Sequence, residues 1–108
     1  MNVDKYTFQV CWSETDQEYL ATVLEFPSLS WLDPDRGQAE SGLLSLVAEV
    51  VEDLQDNGEP VPQPLGAREY SGKFNVRTSP SLHRRLAIAA KTEGISLNAL
   101  VNQKLAAF

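Results

Sequence analysis

Large apolar residues and polar residues alternate near the start of the chain. Between residues 5 and 13, every second position is aromatic or aliphatic, at Tyr6, Phe8, Val10 and Trp12. A two-residue period is typical of a strand that has one buried face and one solvent-facing side. The pattern therefore predicts a first strand over residues 5–13. We expect Trp12 and Trp31 in the core, and the alternative is that an exposed Trp anchors a protein partner.

Two further strands are predicted by the pattern that follows. Residues 19–26 form the second strand of a hairpin, joined to the first strand by the polar residues 16–18. Pro27 ends the second strand because proline lacks the amide hydrogen that a sheet needs. Residues 29–32 add a short third strand ahead of a break at Pro34. The beginning of the chain is therefore predicted to be a small antiparallel sheet.

A helix of about twenty residues is predicted next. Asp35 and Gln38 have the spacing of a capping box, and Gly58 suits the end of the helix. The side opposite the apolar stripe is acidic, so we expect this helix to cover one face of the sheet. The apolar positions that recur at helical spacing are Leu43, Leu44, Val47, Val50, Val51 and Leu54.

A proline-rich segment after this helix predicts a boundary between two domains. Prolines occupy positions 60, 62 and 64, and closely spaced prolines favour an extended, semi-rigid backbone. We therefore assign residues 1–58 to a first domain, residues 59–70 to a linker, and residues 71–108 to a second domain.

One strand and two helices are predicted in the second domain. Around Phe74 and Val76 the apolar and polar residues alternate again. Ser79 and Pro80 have the residue types of a helix cap and first helical position. Gly94 ends that helix, and Ser96 caps the last one. The apolar stripes are Leu82, Leu86, Ala89 and Ala90 in one helix, and Leu97, Leu100, Val101 and Leu105 in the other.

The two parts of the chain carry opposite charge, although the whole chain has a net charge of −6. Residues 1–71 contain three Lys and Arg against fourteen Asp and Glu, a net charge of −11. Residues 72–108 contain six Lys and Arg against one Glu, a net charge of +5. The basic charge of residues 72–108 predicts a nucleic-acid partner for this part of the chain alone. The alternative is that the acidic and basic residues simply form solvated surfaces.

The predicted strand of the second domain has the side chains of a DNA-reading ribbon. A strand and two short helices bury too little apolar surface to fold alone, which indicates a dimer. If the strands of two copies pair antiparallel, Lys73, Asn75 and Arg77 point outward from both. Such a ribbon fits the major groove, where Lys or Arg binds guanine and Asn binds adenine. Alternatively, the charges only protect an exposed sheet edge.

The same arrangement predicts a dimer core and a phosphate site. Phe74 and Val76 would turn onto the helices, and the complete predicted dimer core is Phe74, Val76, Leu86, Leu100 and Val101. At the start of the last helix, Ser96, Leu97 and Asn98 offer backbone amides and the positive end of the helix dipole to a DNA phosphate. The alternative for Ser96 is an ordinary helix cap.

No constellation of residues indicates an enzyme. The strand over residues 5–13 has no carboxylate, whereas a nuclease site needs several that converge on a metal ion. His83 is the only histidine, and Cys11 is the only cysteine. We therefore expect no catalytic residue, no metal and no cofactor. We also expect a cytoplasmic protein with no membrane partner, because the chain shows no secretory signal or long apolar stretch.

Four sequence motifs resemble HicB-family antitoxins. They are Ser-Gly-Lys-Phe-Asn-Val-Arg-Thr-Ser-Pro-Ser-Leu-His-Arg-Arg-Leu at 71–86, Glu-Gly-Ile-Ser-Leu-Asn-Ala-Leu-Val at 93–101, Glu-Phe-Pro-Ser-Leu-Ser-Trp-Leu at 25–32, and Asn-Gly-Glu-Pro-Val-Pro at 57–62. A departure lies at residues 37–40, where Gly-Gln-Ala-Glu replaces the Glu-Glu-Ala-Leu-like helix start that relatives often carry.

The resemblance implies an α+β protein with a degenerate RNase H-like first domain and a dimeric ribbon-helix-helix tail. The ribbon would span residues 72–78. In that family the first domain blocks a HicA-type mRNA-cleaving toxin, and the tail represses the operon. We therefore predict three partners: a HicA-type toxin, operator DNA, and a second copy of the chain bound through the second domain, with higher assemblies open.

Two other hypotheses fit parts of the pattern. The chain could be a stand-alone ribbon-helix-helix transcription regulator, whose first domain senses a ligand or oligomerises, with no toxin partner. It could also be a residual nuclease. A small basic protein encoded in the adjacent reading frame would favour the antitoxin, and metal-dependent cleavage of RNA would favour the nuclease.

Overall fold

A computed structural model describes residues 2–108 as an α+β chain with a three-stranded antiparallel sheet and three helices. This agrees with the predicted fold class at that level of detail. Short 3-10 turns lie at Val3–Lys5 and Leu65–Ala67. The strands are β1 (Phe8–Ser13), β2 (Glu18–Val23) and β3 (Ser30–Asp33), and the helices are α1 (Arg36–Asp56), α2 (Pro80–Glu93) and α3 (Leu97–Leu105).

The chain divides into two compact units. The first unit ends at Tyr70 and contains the sheet and α1, and the second unit, Ser71–Phe108, contains α2 and α3. Among residues 2–108, no helix combines the length and the apolar character that a membrane crossing requires.

The sheet has the strand order β1-β2-β3, and both neighbouring pairs are antiparallel. The first two strands are shorter than the alternation predicts. Val3–Lys5 form a 3-10 turn, and the Thr7 amide donates to the Glu25 carboxylate at 2.9 Å, so β1 starts at Phe8, three residues later than predicted. Beyond Val23 the chain turns, because the Phe26 amide donates to the Val23 carbonyl at 3.3 Å.

Helix α1 covers one face of the sheet, as its apolar stripe predicts. Its buried residues Ala39, Leu43, Val47 and Val51 share one core with residues of β2 and the chain segments flanking the strands. The residues buried on the sheet side of this core are Tyr6, Ala21, Val23 and Phe26.

The predicted capping box at the start of α1 is wrong. The Asp35 side chain makes no cap hydrogen bond. The Asp35 amide instead donates to Asp33 Oδ1 at 2.8 Å, so a neighbouring carboxylate replaces the predicted Gln38 at that amide. The end of the helix agrees with the prediction, because Gly58 has a φ of 67°, which favours glycine.

The segment predicted as a linker packs along part of its length against the first unit. The Tyr6 hydroxyl donates to the Pro62 carbonyl at 2.6 Å, and Pro64 is buried. The Leu65 amide donates to Glu25 Oε2 at 2.9 Å. The Tyr70 hydroxyl donates to the Leu65 carbonyl at 2.9 Å. The backbone around Pro62–Leu65 is therefore anchored to residues far away in the sequence.

Glu25 is the anchor for both the start of β1 and this proline-rich segment. In addition to the two backbone amides, its carboxylate accepts a hydrogen bond from Thr7 Oγ1 at 2.9 Å. Burial alone would raise the pKa of Glu25, but the hydrogen bonds from Leu65 and Thr7 outweigh it and hold the pKa below the ordinary 4.5. Burial, with a smaller contribution from the Glu25 charge, raises the pKa of Tyr6.

The second unit has the two capped helices that its sequence predicts. Ser79 Oγ accepts a hydrogen bond from the Leu82 amide at 3.2 Å, and Ser96 Oγ accepts one from the Ala99 amide at 3.0 Å. Gly94 ends α2 with a φ of 72° in the left-handed region. These local signals fix the helix boundaries without help from long-range contacts.

Candidate nucleic-acid interface

The residues of the predicted ribbon lie in an exposed segment before α2. Residues 73–79 form neither helix nor strand, and all of their side chains are exposed. Phe74 is 73% exposed and Val76 is 68% exposed. The strand that the sequence predicts needs a pairing partner, which a single chain does not provide. A paired strand in which Lys73, Asn75 and Arg77 face outward therefore remains a prediction for a dimer.

An apolar groove of about 720 Å³ opens on the surface of the second unit beside this segment. Its floor and walls come from α2, α3 and the end of the exposed segment. The residues that line it are Val76, Arg77, Thr78, Leu82, His83, Leu86, Leu97, Val101, Lys104 and Leu105. Arg77, one of the predicted base-contacting residues, therefore lines the same groove as the apolar stripes of both helices.

The second unit buries very little apolar surface for its length. Among residues 71–108, all of which are described, only Ala90 and Leu100 are buried. Leu82, Leu97 and Leu105 are exposed, although helical spacing places them on the inner stripes. A unit of this size needs a larger core to offset the entropy of ordering its chain. The apolar side chains that line the groove are the ones that a partner could bury.

The five residues of the predicted dimer core fall into two groups. Leu100 is buried within one chain, so it belongs to the unit's own small core. Leu86 and Val101 are half-buried and line the groove, and Phe74 and Val76 are exposed. Four of the five side chains therefore keep apolar surface that a second copy could cover.

The predicted phosphate-binding residues lie together at the start of α3. Ser96, Leu97 and Asn98 are exposed, and the first helical hydrogen bond runs from the Leu100 amide to the Ser96 carbonyl at 3.0 Å. The amides of Leu97 and Asn98 precede that bond, at the positive end of the helix dipole. Ser96 itself serves as the helix cap, so its side chain has a structural role whether or not phosphate binds there.

The comparison with protein families adds one finding. Residues 57–105 match the HicB family. This match shows that the segment from the end of α1 to the end of α3 is similar to HicB-family proteins. No curated protein and no solved structure matches the chain.

The HicB match covers the part of the chain that holds the groove. It begins at Asn57, just after α1, and ends at Leu105, the last residue of α3. All of the predicted DNA-contacting residues fall within it. The motif at residues 25–32 lies outside it, so the matched HicB segment does not include the sheet of the first unit.

The two tryptophans, which lie outside the HicB match, differ from the prediction. Trp12 and Trp31 were expected in the core, and this is wrong: they are 45% and 41% exposed. The strand pattern identifies the face on which each indole lies, but it does not show how far α1 extends over that face. Cys11 is also exposed, on the other side of β1.

The titratable side chains do not form a metal centre in the described part of the chain. Among residues 2–108, no group of three or more His, Cys, Asp or Glu side chains is placed to hold a metal ion. His83, the one histidine, lines the groove on α2.

Proposed function

We propose that this chain is an antitoxin of the HicB type. Its first unit neutralises a HicA-type mRNA-cleaving toxin, and its second unit represses the operon by sequence-specific DNA binding. The proposal rests chiefly on the apolar groove of the second unit. This groove is open because α2, α3 and the basic segment before them bury too little apolar surface to form a core of their own. The HicB family match over the same residues supports it.

The groove favours a homodimer of ribbon-helix-helix type. Two copies that pair residues 72–78 would satisfy the backbone hydrogen bonds of that segment. The same pairing would place Phe74 and Val76 against the half-buried Leu86 and Val101, which are apolar and line the groove. Burial of such side chains contributes about 1.5 to 3 kcal/mol each, which is the driving force that the isolated unit lacks.

The paired segment would present its polar side to DNA. Lys73 and Arg77 can donate to guanine O6 and N7, and Asn75 can pair with adenine N6 and N7. The start of α3 would hold a phosphate and fix the register of the protein on the duplex. With a net charge of +5 over residues 72–108, this unit is also attracted to DNA without regard to sequence.

The first unit carries the opposite charge and, in this proposal, a different task. With fourteen acidic residues and three basic ones up to residue 71, it suits a basic protein that itself binds RNA. We propose that it acts by covering the toxin rather than by any chemistry of its own, and that both tasks take place in the cytoplasm.

Binding to the promoter DNA upstream of the chain's own gene tests the DNA-reading part of the proposal. We expect Arg77→Ala to weaken binding of the full chain by about 1 to 3 kcal/mol, because one base contact from each copy is lost. Arg68→Ala is the matched control, since it removes the same charge from the first unit. Equal losses in the two variants would contradict base reading by Arg77.

We expect the adjacent reading frame to encode a small basic protein, and an RNA-cleavage assay with that protein tests the antitoxin part. The wild-type chain and Arg77→Ala should both suppress cleavage, because position 77 lies in the second unit. Failure of the wild-type chain to bind or inhibit that protein, with DNA binding intact, would favour a stand-alone regulator.

A further inference from the structure

Three exposed or half-buried aromatic side chains form one corner of the first unit. Trp12 lies opposite Tyr19 in the β1–β2 register, and Trp31 lies opposite Ala21 in the β2–β3 register. Because Tyr19 and Ala21 are two residues apart on one strand, all of these side chains lie on the same face of the sheet. We call Trp12, Tyr19 and Trp31 the aromatic corner.

Both indoles of the aromatic corner are held in place although they are exposed. Trp12 Nε1 donates to the Glu14 carboxylate at 2.7 Å, and the Trp12 ring meets the Tyr19 ring edge-on, with the centroids 5.1 Å apart. The Trp31 indole lies against Gly42 of α1 so closely that a Cβ at residue 42 would clash with Trp31 Nε1. Rigid exposed aromatic rings lose little entropy on binding a partner, which favours their use as anchors.

The aromatic corner already holds one cation. The Arg36 guanidinium lies 5.2 Å from the centroid of the Tyr19 ring. Arg36 is the first residue of α1, where the helix dipole disfavours positive charge. The Tyr19 ring of the aromatic corner therefore already packs against one guanidinium group.

The charge around the corner favours further cations. The first unit has fourteen acidic residues and only three basic ones, so at least eleven carboxylates cannot be neutralised within it. Glu14 contacts Trp12 directly, and Asp33 lies opposite Tyr19 in the sheet register. Aromatic faces with carboxylates beside them suit an Arg or Lys side chain, which can pack on the ring and bind the carboxylate together.

We infer that the aromatic corner is the docking site for the toxin, and that it receives an Arg or Lys side chain of that basic protein. The inference rests on the proposed antitoxin function and assigns its contact surface. Charge complementarity selects a basic protein as the occupant, and the exposed rings supply the apolar area that hot spots of protein interfaces require.

The opposite face of the sheet is the competing surface. It carries Leu20 and Leu32, which face each other in the β2–β3 register. Leu32 is 41% exposed, the same fraction as its neighbour Trp31 on the same strand. These two adjacent residues therefore offer a matched pair of substitutions that separates one face of the sheet from the other.

Calorimetric titration of the full chain with the small protein encoded in the adjacent reading frame, in a catalytically inactive form, tests the assignment. We expect Trp31→Ala and Trp12→Ala each to weaken the complex roughly 30-fold, as truncation of an aromatic anchor commonly does. Leu32→Ala should change the affinity less than about threefold, the scale of a surface substitution. Thermal unfolding and promoter-DNA binding of each variant report whether it has kept its fold.

Arg36→Gln provides a readout that a merely structural role would not produce. The substitution frees the Tyr19 ring and removes a like charge, so we expect the complex to become tighter by about two- to fivefold. An unchanged or weaker complex would overturn the claim that the corner accepts a cation.

Different outcomes of these titrations distinguish a wrong docking site from a wrong function. If the wild-type chain binds the neighbouring protein but folded Trp12 and Trp31 variants bind it equally well, the aromatic corner is not the docking site. If Leu32→Ala alone weakens binding, the opposite face is the site. If the wild-type chain does not bind that protein, the antitoxin function fails, and the docking site fails with it.

Discussion

The two units of this protein differ in how they bury their apolar residues. The first unit closes its own core, with α1 packed over one face of the sheet and residues such as Ala21, Leu43 and Val47 fully buried. The second unit has well-capped helices but leaves most of its apolar stripes open along a groove. The comparison teaches that regular helices alone do not provide a self-sufficient fold, because burial has to offset chain entropy.

Charge follows the same division. The acidic unit is the one with the closed core, and the basic unit is the one with the open groove. In the proposed function, the first unit binds a different protein with a surface that is already folded. The second unit has to dimerise before it binds DNA. The predictions below test this contrast, from the largest expected effect to the smallest.

The largest effect is expected from Leu43→Ala, which truncates a fully buried side chain of α1. We expect the first unit to lose about 2 to 5 kcal/mol of its free energy of unfolding, since a cavity remains in the core. Urea unfolding measured by circular dichroism gives the loss. Promoter-DNA binding should persist at low urea, and simultaneous loss of DNA binding would contradict the separation of the units.

Glu25→Gln should weaken the attachment of the proline-rich segment to the first unit. The glutamine side chain keeps one acceptor oxygen and places an NH2 group at the other position, so one of the hydrogen bonds from the Thr7 and Leu65 amides becomes neutral and the other is lost, at a cost of about 1 to 3 kcal/mol. Hydrogen exchange at the Thr7 and Leu65 amides should become faster. Unchanged protection of both amides would show that the carboxylate is not the anchor.

The same substitution should change how stability depends on pH. The pKa of Glu25 is lowered in the folded protein, so its contribution is fully present above the ordinary value of 4.5 and is lost as the pH falls through the lowered value. The difference in free energy of unfolding between the wild-type chain and Glu25→Gln should therefore shrink from pH 7 to pH 3. A constant difference would contradict the lowered pKa.

Smaller effects are expected at the helix caps of the second unit. Ser79→Ala and Ser96→Ala each remove a hydroxyl oxygen that accepts a hydrogen bond from a backbone amide. We expect each to cost about 1 kcal/mol of stability. Ser45→Ala is a control, because Ser45 is exposed inside α1 and is not a helix cap. Equal losses at positions 79 and 45 would contradict a specific capping role.

The smallest effect on stability is expected from Gly42→Ala. The added Cβ displaces the Trp31 indole, and the higher helix propensity of alanine, about 1 kcal/mol, offsets part of the cost. We therefore expect a stability change within about 1 kcal/mol and a red-shifted Trp31 fluorescence, measured in a Trp12→Phe background. An unchanged spectrum would contradict the packing of Trp31 on residue 42.

Local signals made the helices of the second unit predictable. The helix ends depend on contacts with amides and carbonyls only a few residues away, so short sequence patterns are enough to predict them. The residues concerned are Ser79, Pro80, Gly94 and Ser96. The apolar stripe of α1 was equally informative, because its period directly identifies the buried face.

Long-range contacts account for most of what the sequence did not predict. Glu25 accepts hydrogen bonds from the amides of Thr7 and Leu65, and neither contact follows from the spacing of these residues. The capping box at Asp35 failed because the Asp33 carboxylate competes for the same amide. The exposure of Trp12 and Trp31 depends on how far α1 reaches over the sheet, which alternation along a strand does not encode.

The most direct test of the central claim is the mass of the full chain in solution, measured by light scattering after size exclusion, beside that of Val76→Asp. Val76 is exposed in one chain, so the substitution leaves the single chain's own packing intact while placing a charge in the proposed dimer interface. The account predicts about 24 kDa for the wild-type chain, twice the 12.0 kDa of one copy, and about 12 kDa for the variant. A monomeric wild-type chain, or a variant that stays dimeric, would contradict it.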